Sequence, residues 1–252
     1  MDGVPRLLAG RVALVTGGGR GLGAAIAATF AGAGALGTVV DLEPVDAPDG
    51  WSAAVADVTD VEQVERAVDA VVGRFGRLDV VVANAGVVPP WSEIATLDLE
   101  AFDRTMAVNV RGVAVTLKAA ARALRAAGGG SIVVTASLNS WLGAPAQGAY
   151  SASKHAVLGL VRVAALDLGG DGVRVNAIAP GPVATDALRE RLARRAAEGG
   201  LAVADALQAA ASGTALGRIA TEREVANVAL FLASGLSSGV TGAIVPVDCG
   251  IR

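Results

Sequence analysis

Two side chains with complementary acid–base chemistry stand four residues apart near the predicted start of a helix. Tyr150 is the chain's single tyrosine, and Lys154 is one of two lysines, the other being Lys118. Residues four apart share one helix face, so the ammonium can approach the phenol. A free phenol, with a pKa of about 10, exchanges protons poorly at neutral pH, and a nearby cation lowers that pKa. The spacing therefore predicts a tyrosine that exchanges a proton with an alcohol or carbonyl oxygen, the alternative being a core tyrosine beside a surface lysine.

A glycine cluster lies between the first predicted strand and the first predicted helix. It reads Thr16-Gly17-Gly18-Gly19-Arg20-Gly21-Leu22-Gly23. Glycines permit a sharp turn, let the backbone approach a pyrophosphate, and allow a helix N-terminus to point at that group. A glycine cluster alone would also suit an ordinary strand-to-helix turn, but this context favours a dinucleotide-binding loop.

A carboxylate at the end of the second predicted strand bears on which dinucleotide binds. Asp41 stands where a carboxylate can accept hydrogen bonds from an adenosine ribose, and its charge would repel a 2′-phosphate. Leu42, rather than a basic residue, follows it. Arg20 in the glycine loop could pair with a 2′-phosphate and speaks mildly for NADP. We predict NAD as the cofactor, with NADP less favoured; the other interpretation of Asp41 is a solvated acid at a strand end.

Short apolar runs alternate with helical patterns along the chain, and these elements would position the groups above. The patterns predict strands at 11–16, 38–42, 53–57, 79–83, 131–135, 173–178 and 243–247. They predict helices around 25–30, 59–74, 99–127, 150–168, 186–211 and 221–234, two of them opened by the capping boxes Thr59-x-x-Glu62 and Thr221-x-x-Glu224. Such alternation is typical of an α/β fold. We predict one domain over 1–252 with a doubly wound, seven-stranded parallel sheet and helices on both faces; Pro246 favours a sheet edge for the last strand.

The composition argues against several classes of protein. The chain has 252 residues, 53% of them hydrophobic, yet no apolar run approaches the ~18 residues that a membrane span needs. One cysteine and one histidine exclude an internal disulfide and clustered-cysteine or paired-histidine metal sites, so we expect no metal. A net charge of −3 without a basic stripe argues against nucleic acid. No apolar leader is evident, which predicts a soluble, cytoplasmic protein.

Together these motifs resemble the short-chain dehydrogenase/reductase family over essentially the whole chain. Besides the glycine loop and the Tyr150-x-x-x-Lys154 pair, the matching residues are Asp57, Asn84-Ala85-Gly86, Asn109, Ser137 and Pro180-Gly181. The resemblance implies a Rossmann fold and hydride transfer between a nicotinamide cofactor and a secondary alcohol or its ketone. One departure is that residues 42–50 are predicted to form a proline-punctuated loop where family members usually place a helix.

The resemblance also implies a role for each matching residue. Tyr150 would be the general acid/base, Lys154 would lower its pKa and hold the nicotinamide ribose, and Ser137 would hydrogen-bond the substrate oxygen. Asn109 would hold a water that connects Lys154 to solvent; by sequence alone it could equally satisfy buried backbone within its own helix. The expected cofactor-binding residues are Gly17, Arg20, Gly21, Leu22, Gly23, Asp41, Asp57, Val58, Asn84, Ala85, Gly86, Tyr150, Lys154, Pro180, Gly181, Val183 and Thr185.

Two regions are expected to cover the substrate, the loop at 89–91 and the helical segment at about 186–211. With Trp141 and Leu142 as a wall, they suggest an apolar site for a neutral alcohol or ketone. The helical segment carries four arginines, Arg189, Arg191, Arg194 and Arg195. They do not share one helical face, so we expect a solvated helix surface rather than a site for an acid.

Two alternatives to this function remain. An NADPH-dependent 3-oxoacyl-carrier-protein reductase is disfavoured by Asp41 and by the lack of an evident basic docking patch. A non-catalytic dinucleotide-binding sensor is disfavoured because Ser137, Tyr150 and Lys154 are all present. The resemblance further implies a homotetramer assembled through the helices at 99–127 and 150–168 and through the C-terminal strand.

Overall fold

The computed structural model describes residues 6–251, and within that range seven parallel strands form a single sheet. They are β1 (Val12–Thr16), β2 (Leu36–Asp41), β3 (Ser52–Val55), β4 (Val80–Ala83), β5 (Gly130–Thr135), β6 (Val173–Pro180) and β7 (Ile244–Val247). The strand order is β3-β2-β1-β4-β5-β6-β7. The predicted fold class is confirmed, and β7 with its Pro246 lies at a sheet edge, as expected.

Helices cover both faces of the sheet. They are α1 (Gly21–Gly32), α2 (Val61–Phe75), α3 (Leu99–Met106), α4 (Gly112–Ala126), α5 (Gly148–Gly169), α6 (Asp186–Ala197), α7 (Val203–Ser212) and α8 (Glu222–Ala233). One hydrophobic cluster packs α2, α4 and α5 against the sheet, and the other packs α1 and α8 against the opposite face. Within the described residues, no helix is both long and apolar enough to cross a membrane. A cytoplasmic location stays a prediction.

Two predicted helices are interrupted. The long helix at 99–127 contains a π-helical turn, Ala107–Arg111, between α3 and α4. The segment at 186–211 was expected to be one helical stretch, and that expectation is wrong: it is two helices, α6 and α7. Gly199 adopts a left-handed conformation (φ 91°) directly after α6, a conformation that commonly ends helices.

One predicted capping box is confirmed and the other is wrong. Thr221 and Glu224 cap each other's backbone N–H groups at the start of α8. Helix α2 is instead capped by Asp60, whose carboxylate accepts the Gln63 N–H at 3.1 Å. The N-cap is thus one residue later than predicted, and the Thr59 hydroxyl donates to the Asp57 carboxylate at 2.8 Å. The predicted loop after β2 is confirmed, since residues 42–51 contain no helix in the described structure.

The strand order places a crevice at the centre of the sheet. The chain winds from β1 outward to β2 and β3 on one side, then returns to β4 on the other. The loops after β1 and β4 therefore diverge at the carboxyl ends of these strands, which is where open α/β sheets bind ligands. The glycine loop follows β1, Asn84 follows β4, and Ser137 follows β5, so three predicted motifs meet at this edge.

Candidate active site

The glycine loop is close-packed where it faces the protein and open where it faces the crevice. Gly17 has a φ of 62°, and a Cβ there would lie 2.8 Å from the Ala85 Cα. A Cβ on Gly23 would lie 2.0 Å from the Gly17 carbonyl oxygen. The N-cap of α1, Arg20, makes no side-chain capping bond, and the first turn of that described helix has no acidic residue. These uncapped N–H groups fit the pyrophosphate of a dinucleotide.

The Asp41 carboxylate is fixed beside this loop. One oxygen accepts the Gly19 N–H at 2.9 Å, and the other accepts the Leu42 N–H at 2.8 Å. A carboxylate oxygen can accept more than one hydrogen bond, so Asp41 retains acceptor capacity for ribose hydroxyls. Its position at the end of β2 matches the prediction, whereas the exposed Arg20 lies within the glycine loop.

The Asn84 side chain holds the loop in place from within the protein. Its amide nitrogen donates to the carbonyl oxygens of Thr16 at 3.1 Å and Gly17 at 3.0 Å. Its amide oxygen accepts the Thr135 hydroxyl at 3.0 Å. The Thr16 hydroxyl in turn accepts the N–H groups of Asn84 and Ala85. The Asn84 amide is therefore a structural connection between β1, β4 and β5.

Ser137, Tyr150 and Lys154 come together at the carboxyl end of β5. Lys154 is 5% exposed, and its ammonium donates to the Thr135 carbonyl oxygen at 2.7 Å. The same ammonium lies 5.7 Å from the centroid of the Tyr150 ring. Ser137 begins a short 3₁₀ turn, and its N–H donates to the Ser140 hydroxyl at 3.2 Å. Ser140 is thus a positioning residue that the sequence interpretation missed.

The surroundings of these groups shift their pKa values. Burial raises the pKa of Tyr150, while a hydrogen bond with Ser137 and the positive charge of Arg191 lower it. Burial lowers the pKa of Lys154 to about 8. The Lys154 ammonium donates to the backbone of β5 and lies 5.7 Å from the centroid of the Tyr150 ring. Its role in lowering the Tyr150 pKa stays a prediction, and Arg191 is a second cation that acts on this phenol.

Asn109 lies in the π-helical turn with its side chain fully buried. Its amide oxygen accepts the Val87 N–H at 2.8 Å, and its amide nitrogen donates to the Val87 carbonyl at 2.9 Å. A further bond runs to the Ser153 hydroxyl at 3.1 Å. The side chain therefore pairs with the backbone of Val87, after β4, rather than with backbone of its own helix. Its role in holding a water stays a prediction.

The remaining predicted cofactor residues are mostly buried or half-buried. Leu22, Val58 and Val183 place their side chains in or against the hydrophobic clusters. Gly181 packs so closely that a Cβ would lie 2.9 Å from the Asp248 Cβ. Thr185 caps α6 by accepting the Leu188 N–H at 3.2 Å. The stretch from Pro180 to Thr185 is thus anchored at both ends.

Three of the four arginines of α6 are exposed, as the expected solvated surface requires, and Arg191 departs from that expectation because it is half-buried. The guanidinium carbons of Arg191 and Arg195 lie 4.3 and 4.8 Å from the centroid of the Trp91 ring. Arg191 and Arg195 are four residues apart and so share a helix face. The expectation of a solvated surface rested on whether all four arginines share one face, and that question does not reveal this pair. Arg191 also lies close enough to Tyr150 for each group to shift the other's pKa.

Replacing Lys154 is expected to stabilise the protein while removing a functional group. The pKa of Lys154 is about 8 in the folded chain against an ordinary 10.5, so burial of its charge opposes folding at pH 7. Lys154→Met removes this penalty but leaves the Thr135 carbonyl unpaired, for a net gain of roughly 1–3 kcal/mol in the free energy of unfolding. Urea unfolding at pH 7 measures this gain.

The pH dependence of that gain supplies the control. Between about pH 8 and 10.5 the unfolded state binds more protons than the folded state, so wild-type stability rises with pH and the gap to Lys154→Met narrows. Lys118→Met alters the exposed lysine that pairs with Glu65 and should change stability little. A Lys154→Met protein less stable than the wild type at pH 7 would contradict the argument.

Comparisons with known proteins find similar sequences and structures over nearly the whole chain. Residues 17–252 match a family described as Enoyl-(Acyl carrier protein) reductase. Short-chain dehydrogenase reductase 4 of Arabidopsis thaliana is 41% identical, over 99% of this chain and 85% of that protein. The crystal structure of levodione reductase is 34% identical with a TM-score of 0.90, over 96% of this chain and 97% of that one. Carveol dehydrogenase from Mycobacterium avium, solved in complex with NAD, is 31% identical with a TM-score of 0.89, over 97% of this chain and 98% of that one.

Proposed function

Because the chain belongs to the short-chain dehydrogenase/reductase family, we propose that it transfers a hydride between NAD and a secondary alcohol or its ketone, with Tyr150 as general acid/base. Its relatives are named dehydrogenases and reductases, so the chain is an oxidoreductase that acts on CH–OH groups with a nicotinamide cofactor. The observation that carries the proposal is the convergence of Ser137, Tyr150 and Lys154 beside the glycine loop.

The chain's own residues handle the proton and the charge of this reaction. A bound nicotinamide supplies or accepts the hydride at the reacting carbon. In the oxidation direction, the Tyr150 phenolate oxygen takes the proton of the substrate hydroxyl, and in reduction the phenol returns it. The Ser137 hydroxyl hydrogen-bonds the substrate oxygen on which negative charge develops. Lys154, fixed by the Thr135 carbonyl, places its ammonium where it stabilises the phenolate.

The proposed cofactor contacts follow the geometry of the crevice. The uncapped N-terminus of α1 and the glycine loop face a pyrophosphate, and Asp41 faces the adenosine ribose. The segments 84–86 and 180–185 line the other end, toward Tyr150 and Lys154. Asp57 accepts the Thr59 N–H and hydroxyl with one carboxylate oxygen, which leaves the other available near the adenine. We therefore propose that the cofactor-binding residues predicted from the sequence contact the dinucleotide.

Tyr150→Phe tests the acid/base role, because it removes only the phenolic oxygen. We expect turnover to fall by roughly 10²–10⁴-fold while NADH binding weakens far less, by no more than about tenfold, because the other cofactor contacts remain. The measurement is the nicotinamide absorbance over a panel of secondary alcohols and ketones, with NADH binding followed by fluorescence. Undiminished turnover in Tyr150→Phe would refute the mechanism. Silence of the wild type over the whole panel, with NADH still bound, would favour the non-catalytic sensor.

Asp41→Asn tests the choice of NAD. The wild type should bind NADH at least ~10-fold more tightly than NADPH, because Asp41 would face the 2′-phosphate of NADPH. The substitution keeps the side-chain shape and removes the charge, so the preference should shrink. Asp46→Asn, at an exposed position in the loop after β2, is the matched control. This substitution should leave the preference for NADH over NADPH unchanged. Tighter binding of NADPH by the wild type would favour the 3-oxoacyl-carrier-protein reductase.

We also propose the homotetramer implied by the family resemblance. The outward face of α5 exposes Ala152, Gly159, Val163 and Leu166, and Leu166 is 82% exposed. Small and apolar residues on one face let two helices pack closely. Light scattering at micromolar concentration should give four times the 24.9 kDa mass of the chain, and a monomer would contradict the assembly.

A further inference from the structure

Arg191 has buried hydrogen-bond donors with nothing to donate to. Its Nε and Nη2 atoms are inaccessible to solvent, and neither has a hydrogen-bond partner among residues 6–251. They are the only buried side-chain nitrogen or oxygen atoms of the described chain in this condition. Two charged N–H donors that are buried and unpaired oppose folding. Because solvent does not reach them in this structure, an acceptor from outside the chain can pair with them only when the groups that cover this edge move.

The two unpartnered atoms form one geometric unit. The N–H bonds of Nε and Nη2 point in parallel from one edge of the guanidinium, and this edge matches the two oxygens of a carboxylate. The chain itself shows the pairing elsewhere. Arg77 donates from Nε at 2.8 Å and from Nη2 at 2.5 Å to the two carboxylate oxygens of Asp79. In Arg191 the same edge is buried and unpaired.

The surroundings of Arg191 concentrate positive charge beside the reacting groups. Its guanidinium stacks on Trp91, and Arg195 stacks on the same ring. Burial lowers the pKa of Arg191. Of the neighbouring charges, that of Tyr150 raises this pKa and the like charge of Arg194 lowers it. Among the described residues, no carboxylate is paired with Arg191. The link to Tyr150 runs through the loop of Trp91, because the N–H of Ser92 donates to the Ala146 carbonyl just before α5.

We propose that Arg191 binds a carboxylate of the substrate through its Nε–Nη2 edge, so that the substrate is a hydroxy acid or the corresponding oxo acid. This inference rests on the function proposed above and narrows its substrate class. The proposal places the carboxylate near the reacting carbon, because Arg191 lies on Trp91, whose loop is hydrogen-bonded to the segment just before Tyr150. Trp91 holds the guanidinium plane, and the bidentate contact orients the carbon that carries the hydroxyl. The neutral substrate suggested by the sequence is replaced by an anionic one.

The experiment compares each hydroxy acid with its own amide. Aliphatic 2- and 3-hydroxy acids of increasing chain length are assayed beside the matching hydroxy amides, which are similar in shape and neutral. The wild type should prefer the acid by ~100-fold or more in kcat/KM, since the amide leaves the guanidinium edge incompletely paired. Arg191→Met should reduce this preference to within about threefold, while Arg191→Lys, which keeps the charge and loses the edge, should fall between.

Arg195→Met is the matched control for packing on Trp91. It removes a guanidinium from the same ring and the same helix but leaves the Nε–Nη2 edge of Arg191 intact. It should retain the acid preference. Circular dichroism of each variant checks that α6 still folds. Equal loss of preference in Arg191→Met and Arg195→Met would overturn the assignment, because it would show a packing effect.

A binding measurement separates failure of this inference from failure of the proposed function. Unreactive carboxylates that lack the hydroxyl should raise the melting temperature of the NADH complex of the wild type and not that of Arg191→Met. If the wild type turns over neutral alcohols in preference to acids, the carboxylate site is wrong. If Tyr150→Phe abolishes that turnover, the proposed function nevertheless stands. No turnover with any substrate would refute the proposed function, and the carboxylate site would then stand or fall on the melting shift.

Discussion

The hydrogen bonds of the Asn84 side chain fix the relation between the two halves of the site. The amide nitrogen holds the start of the glycine loop through the carbonyls of Thr16 and Gly17, and the amide oxygen holds the Thr135 hydroxyl. The Thr135 carbonyl in turn receives the Lys154 ammonium. One continuous set of bonds therefore runs from the loop after β1, across β4 and β5, to the catalytic face of α5. Because each group is buried or partly buried, displacing any one leaves unpaired partners at the others.

The polar groups of the site differ in how completely the chain satisfies them. Asn84 and Asn109 use both ends of their amides within the protein, and they act as supports. Lys154 makes one bond, to a backbone carbonyl, although its ammonium has three donors. Arg191 makes none with its buried edge. The side chains that support the site thus have their hydrogen bonds satisfied within the protein, whereas the side chains proposed to face cofactor and substrate do not. This is expected where a protein gives up local stability for binding.

The sequence predicts the parts of this arrangement that are local. Continuous apolar runs identify the buried strands, and the glycine loop with Tyr150 and Lys154 identifies the edge of the sheet where the site lies. The contact between Arg191 and Trp91 is not local, because Trp91 lies in a loop a hundred positions earlier in the chain. The periodicity of α6 therefore cannot predict it. The cap of α2 was mistaken for a similar reason. Thr59 and Asp60 both suit an N-cap, and the residue types alone do not tell which of two neighbours begins the helix.

Helices α6 and α7, proposed to cover the substrate, contribute no buried residue to the core. No residue of α6 or α7 is buried in the described structure, and the two helices pack mainly against each other. What joins α6 to the rest is its Thr185 cap and the stacking of its arginines on Trp91. The loop of Trp91 is itself tied to the start of α5, where the Ser92 N–H donates to the Ala146 carbonyl at 2.9 Å. A carboxylate bound by Arg191 would thus strengthen the link between α6 and the helix that carries Tyr150. Binding energy from a non-reacting part of the substrate would then close the site over the reacting carbon.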